Sequence, residues 1–255
     1  MTTFAARPVL EVRRLTKEFG GLRVLRGVDL CIGAGELRCI IGPNGCGKTT
    51  LFNTITGTFP PTSGTVHVHG EDVTGRPPHL ISRLGLGRKF QVPGIYPALS
   101  VAENLEVSLM SAGARRSLGA LGNRARLAER LRELLTRFRL RHVAGRPAGE
   151  LPHGQKQWLE IAMLFGSGAR ILLLDEPTAG MSAAETLATV QLIRQLRHEH
   201  GVTVLVIEHD MSFVRELACP VVVLLRGMVL FEGSYAEVQA HPEVREAYLG
   251  EAEGG

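Results

Sequence analysis

Apolar and polar residues alternate along the opening of the chain. Val9-Leu10-Glu11-Val12, Arg23-Val24-Leu25 and Val28-Asp29-Leu30 carry this period of two, and Gly20-Gly21 and Gly33-Ala34-Gly35 interrupt it. The pattern predicts short antiparallel strands joined by turns. Thr65-Val66-His67-Val68-His69 alternates again after the turn-forming Pro60-Pro61-Thr62-Ser63-Gly64. His67 and His69 have no third ligand near them in sequence, so they are read as solvent-facing strand positions. Leu37-Arg38-Cys39-Ile40-Ile41 reads as a buried strand, and Thr50-Leu51-Phe52-Asn53-Thr54-Ile55 as a helix.

Beyond Phe90 the period changes. Val101–Leu109, Arg124–Leu140 and Gln155–Phe165 show helical spacing, and the small-residue stretch Ser111–Gly122 between them is expected to be a loop. From Ile171 the chain alternates strand and helix: Ile171–Leu174, Ala183–His198, Val202–Ile207, Met211–Ala218, Val221–Leu225. That order argues for a mostly parallel α/β sheet. The expected organisation is a single domain over 1–255. Its core covers about 8–89 and 166–240, a helical subdomain about 90–165 is inserted, and a helical tail covers about 241–255.

Composition adds little but excludes much. No apolar run approaches the roughly 20 residues of a membrane span, and no signal-peptide pattern opens the chain. The net charge of +4 comes mostly from arginine, concentrated between Arg115 and Arg141. It is read as a solvated helix face, and the low aromatic content offers no platform for single-stranded nucleic acid. Cys31, Cys39, Cys46 and Cys219 form no C-x-x-C pair and no metal spacing with histidine, which fits a reducing cytosol.

The candidate chemistry begins at Gly42-Pro43-Asn44-Gly45-Cys46-Gly47-Lys48-Thr49-Thr50, which fits the phosphate-binding P-loop G-x-x-x-x-G-K-[ST]. Its glycines let backbone N–H groups form a nest for phosphate oxygens. Lys48 is placed to reach the β- and γ-phosphates and the Thr49 hydroxyl to ligate Mg²⁺, at the positive end of a helix. Gly42, Asn44, Gly45, Cys46, Gly47 and Thr50 complete the expected nucleotide-binding set. Cys46 is read as a small residue that fits the loop, and blocking it should inhibit nucleotide binding sterically.

A second apolar run, Ile171-Leu172-Leu173-Leu174, delivers Asp175 and Glu176 at a strand's carboxyl end, where α/β sheets place ligand contacts. Asp175 is expected to hold Mg²⁺ through water, and Glu176 to orient or deprotonate the attacking water. Val204-Leu205-Val206-Ile207 ends likewise in Glu208-His209-Asp210, and His209 is expected to contact the γ-phosphate from a neighbouring strand.

With these residues the chain resembles the ATP-binding subunit of an ATP-binding-cassette (ABC) transporter over essentially its whole length. The resemblance implies an α/β P-loop NTPase core with an N-terminal antiparallel β subdomain and an inserted helical subdomain. It implies ATP and Mg²⁺ as cofactors and Glu176 as the catalytic carboxylate. Gln91 would be the glutamine that senses Mg²⁺ and the attacking water, and His209 the switch histidine. Phe19 matches the aromatic that stacks on adenine, and Val24 joins it among the nucleotide-binding residues. Leu151-Pro152-His153-Gly154-Gln155 occupies the place of the signature motif, which acts on ATP held by the opposite subunit. Pro152 stands there for a serine and His153 for a glycine, and Ser182 stands in the D-loop where aspartate is usual. The lost donors should weaken γ-phosphate contacts by on the order of 1–3 kcal/mol if unreplaced. The departures point to pairing with a different cassette subunit, although a homodimer is compatible with the motifs.

The implied partners are a second cassette, two membrane permease subunits and, indirectly, a periplasmic or surface substrate-binding protein, with no nucleic acid. The implied location is the cytoplasmic face of the inner membrane, as a peripheral subunit. Val92, Pro93, Ile95, Tyr96 and Leu99 are expected to receive a permease helix. Gly87–Gln91, the Ser111–Arg124 region and Glu246-Ala247-Tyr248-Leu249-Gly250 resemble importers of branched-chain amino acids and urea. His153–Ile161 and Ala179-Gly180-Met181 look most like the urea type, which is the favoured expectation, with a branched-chain amino-acid importer as the alternative and a soluble, non-transport cassette ATPase as the reading after that.

Overall fold

A computed structural model describes residues 8–89, 94–116 and 124–249. Strands β1 (Leu10–Phe19) and β2 (Leu22–Ile32) form a hairpin, and β3 (Leu37–Ile41) leads through the P-loop into helix α1 (Lys48–Ile55). There follow β4 (Ser63–Val68), β5 (Glu71–Asp72), α2 (Pro78–Arg83) and β6 (Leu86–Lys89). Helices α3 (Val101–Arg116), α4 (Arg124–Arg137) and α5 (His153–Gly166) come next. The chain then runs through β7 (Ile171–Asp175), α6 (Ala183–His200), β8 (Thr203–Ile207), α7 (Met211–Leu217), β9 (Val221–Leu225) and β10 (Met228–Gly233). Two short helices, α8 (Tyr235–Ala240) and α9 (Pro242–Leu249), close it.

Two sheets result. The smaller is antiparallel with order β2-β1-β4-β5; the larger has order β10-β9-β3-β8-β7-β6. In the larger sheet every neighbouring pair is parallel except β9 with β10. The central strands are apolar on both faces because both faces are covered. Leu172, Leu174, Val204 and Val206 pack into the core shared with α3 to α7, whereas Ile171, Leu173, Leu205 and Ile207 pack into the core shared with α1 and the smaller sheet. The period of two persists beneath a sequence that reads as continuous hydrophobicity.

Three features differ from the sequence expectation. Ser111–Arg116 belongs to α3 rather than to a loop. Alanine and arginine are strong helix formers that outweigh the single Gly113, and the Ser111 hydroxyl folds back onto the Val107 carbonyl at 3.1 Å. The remainder of that stretch, 117–123, lies outside the described residues. Leu86–Lys89 is an edge strand rather than only the approach to Gln91, paired in register with Ile171–Leu174. The unforeseen β10 returns against β9 through Arg226 and Gly227, both with positive φ, which lets so short a hairpin close.

Candidate functional site

The P-loop is shaped by what its glycines touch. A Cβ on Gly42 would lie 2.1 Å from the Leu224 carbonyl oxygen, so the loop can leave β3 against β9 only with glycine there. Gly47, with φ 107°, precedes α1, and a Cβ on it would meet the Val24 carbonyl oxygen at 3.1 Å. This contact brings Val24 against the loop. Cys46 is buried and its carbonyl accepts from the Gly227 N–H at 3.1 Å, so β10's turn also braces the loop.

Lys48 is buried, and its Nζ donates to the carbonyls of Gly42 at 2.5 Å and Pro43 at 3.0 Å. The ammonium is thus held across the loop it serves. Asn44, Gly45 and Thr49 are exposed, and Thr50 is half-buried on the first turn of α1. Phe19 ends β1 with 40% of its surface exposed, edge-on to Phe59 at 5.3 Å and with the Lys17 ammonium 4.8 Å over its ring. An exposed ring flanked by a cation suits stacking on a base.

Asp175 and Glu176 sit side by side in very different surroundings. Asp175 is 1% exposed at the end of β7, and its Oδ2 accepts from Arg88 Nη2 at 3.1 Å. Its Oδ1 is buried and has no hydrogen-bond partner among the described residues. Burial pushes the Asp175 carboxyl above its ordinary range, against the pull of the Arg88 guanidinium. Burial also lowers Arg88 and Lys89, while the facing carboxylates pull them back up. Lys89 Nζ donates to the Asp175 carbonyl at 3.2 Å. Glu176 is partly exposed and takes a left-handed φ of 47°, a costly conformation for glutamate. Its N–H bonds the Ile207 carbonyl at 2.9 Å, which pins the turn to β8.

β8 lies beside β7, so the residues after Ile207 reach the same end of the sheet. His209 is exposed, with Nδ1 3.5 Å from Glu176 Oε1. Beneath it Glu208, 1% exposed, is a hub. Its Oε1 accepts from the Thr178 N–H at 3.2 Å and hydroxyl at 2.5 Å, and its Oε2 from the His209 N–H at 3.1 Å. One buried carboxylate therefore fixes both the segment after Glu176 and the one bearing His209. Sequence patterns pointed to Glu208 only as His209's neighbour and did not reveal Arg88, Lys89 or Asn53, whose Oδ1 accepts from Arg88 Nη1 at 2.6 Å. A pair of cations in a buried strand was the available signal for Arg88 and Lys89, whereas Asn53, a neutral residue on α1, carried none.

Gln91 lies outside the described residues, as do Val92 and Pro93. Ile95 packs onto the helical core, whereas Tyr96 is 50% exposed and Leu99 half-buried. His69 is exposed, but His67 is half-buried rather than fully solvent-facing, because β5 pairs over that end of β4. No cluster of metal-ligating side chains occurs among the described residues, and no described helix is long and apolar enough to cross a membrane.

The segment Leu151–Gln155 begins α5. Pro152 is the N-cap rather than a helical residue, exposed and extended at ψ 153°, and Leu151 is buried. His153 does not project freely: its Nε2 lies 2.9 Å from Gln157 Nε2, and a Cβ on Gly180 would come 3.5 Å from its ring. Gly154 is packed so closely that a Cβ would fall 2.6 Å from Glu185 Oε1. Gln155 Nε2 reaches His142 Nε2 at 3.4 Å. Ser182 caps α6 in a reciprocal box with Glu185, which gives a serine at this position a local structural use.

The sequence pattern of the ABC transporter family matches residues 25–179, and that of the branched-chain amino acid ATP-binding cassette transporter matches residues 228–254. The chain is 40% identical over 254 residues to the high-affinity branched-chain amino acid transport ATP-binding protein BraF of Pseudomonas aeruginosa, covering 97% of this chain and 100% of that protein. It is 35% identical over 254 residues, with the same coverage, to the corresponding protein LivG of Escherichia coli K12. A dimeric ATP-binding cassette, solved in a post-hydrolysis state with ADP and Pi, superposes with a TM-score of 0.76 at 28% identity over 89% of this chain and 98% of that one.

Proposed function

Because this chain belongs to the ABC transporter family and is an ATPase subunit of that class, we propose that it powers import of branched-chain amino acids. The observation that carries the substrate class is the match of residues 228–254 to the branched-chain cassette pattern. The full-length relatives point the same way and favour this class over the urea type that His153–Ile161 and Ala179–Met181 had indicated.

In this reading Lys48 exchanges its loop carbonyls for the β- and γ-phosphates of ATP, with Gly42–Thr50 as the cradle and Phe19 and Val24 beside the base. The hard oxygen donors of Asp175 and Thr49 fit Mg²⁺, since Asp175 Oδ1 is unpartnered among the described residues and Thr49 is exposed. When bound, the ion neutralises phosphate charge. Glu176 orients and deprotonates the attacking water, His209 steadies Glu176 and meets the γ-phosphate, and Gln91 completes the set. Leu151–Gln155 and Ser182 face the ATP of a second cassette. Tyr96 meets one of two permease subunits, which hold the chain at the cytoplasmic face of the membrane and take substrate from a binding protein.

Reconstitution with the permeases and binding protein tests the substrate class. Leucine should stimulate ATP hydrolysis and urea should not; stimulation by urea alone overturns it. Tyr96→Asp should uncouple transport while sparing basal hydrolysis, measured in the same vesicles.

A further inference from the structure

Arg88 has no role in the reading above, yet it ties together three elements of the site. It stands on β6 opposite Leu173 of β7, with a nearly buried side chain. Its planar fork uses two nitrogens in two directions. Nη2 donates to Asp175 Oδ2 at 3.1 Å, and Nη1 donates to Asn53 Oδ1 at 2.6 Å. Its guanidinium carbon lies 5.6 Å from the ring centre of Phe52. Asn53 and Phe52 belong to α1, whose first turn carries Thr49. Thr49 and Asn53 are four residues apart and share one face of that helix.

We infer that Arg88 is a positioning residue for the Mg²⁺ site, setting Asp175 against the Thr49 face of α1. The inference rests on the reading of Asp175 and Thr49 as the residues that serve Mg²⁺. Arg88 occupies Oδ2 of the carboxylate and leaves Oδ1, so it orients the acid without consuming it. A lysine is a point charge and cannot span both acceptors in fixed geometry. A buried ion pair is weak evidence for stability by itself, because an apolar replacement often serves as well. The fork is accounted for by what it aligns.

The test is equilibrium binding of a non-hydrolysable ATP analogue to the purified full-length protein, titrated with Mg²⁺ and repeated in EDTA. Arg88→Lys should raise the half-saturating Mg²⁺ concentration about tenfold, the low end for loss of a residue supporting a metal ligand. Binding in EDTA, which depends on the P-loop, should stay within about twofold. Equal weakening with and without Mg²⁺, an unchanged Mg²⁺ midpoint, or tighter Mg²⁺ use would each overturn the inference. If Arg88→Lys does not fold, Asn53→Ala carries the test. It keeps the Arg88–Asp175 pair and must still raise the midpoint, and an unmoved midpoint overturns the inference. Asp175→Asn separates the two readings. If it leaves the midpoint in place, the assignment of Asp175 fails; if it shifts the midpoint and Arg88→Lys does not, only the role of Arg88 fails.

Discussion

The carboxyl ends of β7 and β8 and the start of α5 both carry residues assigned to ATP chemistry, but they are built by opposite means. At the strand ends, charged groups are buried and tied across the sheet: Arg88 to Asp175, Lys89 to the Asp175 carbonyl, Glu208 to Thr178 and His209. At the starts of α5 and α6 the contacts are short-range or lie near the surface, as in His153 with Gln157 on α5 and Ser182 with Glu185 on α6. Buried networks hold their geometry alone, because each unpaired group would be costly. A surface cap does not define a phosphate site without a second body to close it. Under the proposed function the strand ends carry one site's chemistry, and the start of α5 lends a surface to another's.

The sharpest break in this comparison is Glu176→Gln. Loss of a general base costs about 10²–10⁴-fold in rate, so hydrolysis by the assembled transporter should nearly vanish while ATP-bound dimer accumulates in gel filtration. Rapid turnover in that variant would remove Glu176 from the role. The left-handed backbone is kept by the substitution, so folding should be little changed.

Glu208→Ala comes next. It strips the acceptor from the Thr178 N–H and hydroxyl and from the His209 N–H. Buried donors left unsatisfied cost about 1–3 kcal/mol each, and the two loops also lose their link. Thermal unfolding should shift down, and kcat should fall further than KM rises. A variant of unchanged kcat would show that Glu208 braces the fold without placing His209.

Sequence and structure diverge along the same line. The P-loop, the acidic pair and His209 were legible because phosphate chemistry demands those residue types at fixed spacing next to apolar strands. Arg88, Asn53 and Glu208 were not, because their partners lie 87, 35 and 30 residues away and only strand order brings them together. The edge strand β6 was hidden by its Gly87-Arg88-Lys89 sequence, where neither alternation nor an apolar run marks it. The turn of Ser111–Arg116 into helix shows local propensity overriding a reading based on small residues. The preference for urea over branched-chain substrates rested on departures in a surface motif, whereas full-length likeness weighs the whole chain.

Pro152→Ser probes the lent surface. Restoring one hydroxyl and one N–H at the cap of α5 returns donors worth on the order of 1 kcal/mol, or about fivefold in rate. Hydrolysis in the assembled transporter should rise by that order, with no change in nucleotide binding to the isolated chain. An unchanged rate with full assembly would mean that His153 or the partner already supplies the contacts.

The smallest expected effect is that of Ser182→Ala, and its pH dependence separates local capping from ligand contact. Ser182 donates its N–H at 2.9 Å and its hydroxyl at 2.8 Å to Glu185 Oε2, and the Glu185 N–H returns to the Ser182 oxygen at 3.4 Å. Loss of such a cap costs about 1 kcal/mol. The backbone N–H of Ser182, then its hydroxyl, hold the Glu185 carboxyl below its ordinary value of 4.5. A depressed carboxyl contributes stability that is present above the unfolded value and is lost as pH falls through the folded one. The stability gap between wild type and Ser182→Ala, measured by urea unfolding, should therefore hold at pH 7 and shrink well below pH 4.5. A gap that stays constant into acid would mean the carboxylate takes no part in the cap. A normal gap accompanied by lost hydrolysis in the assembled transporter would give Ser182 a contact beyond its own helix.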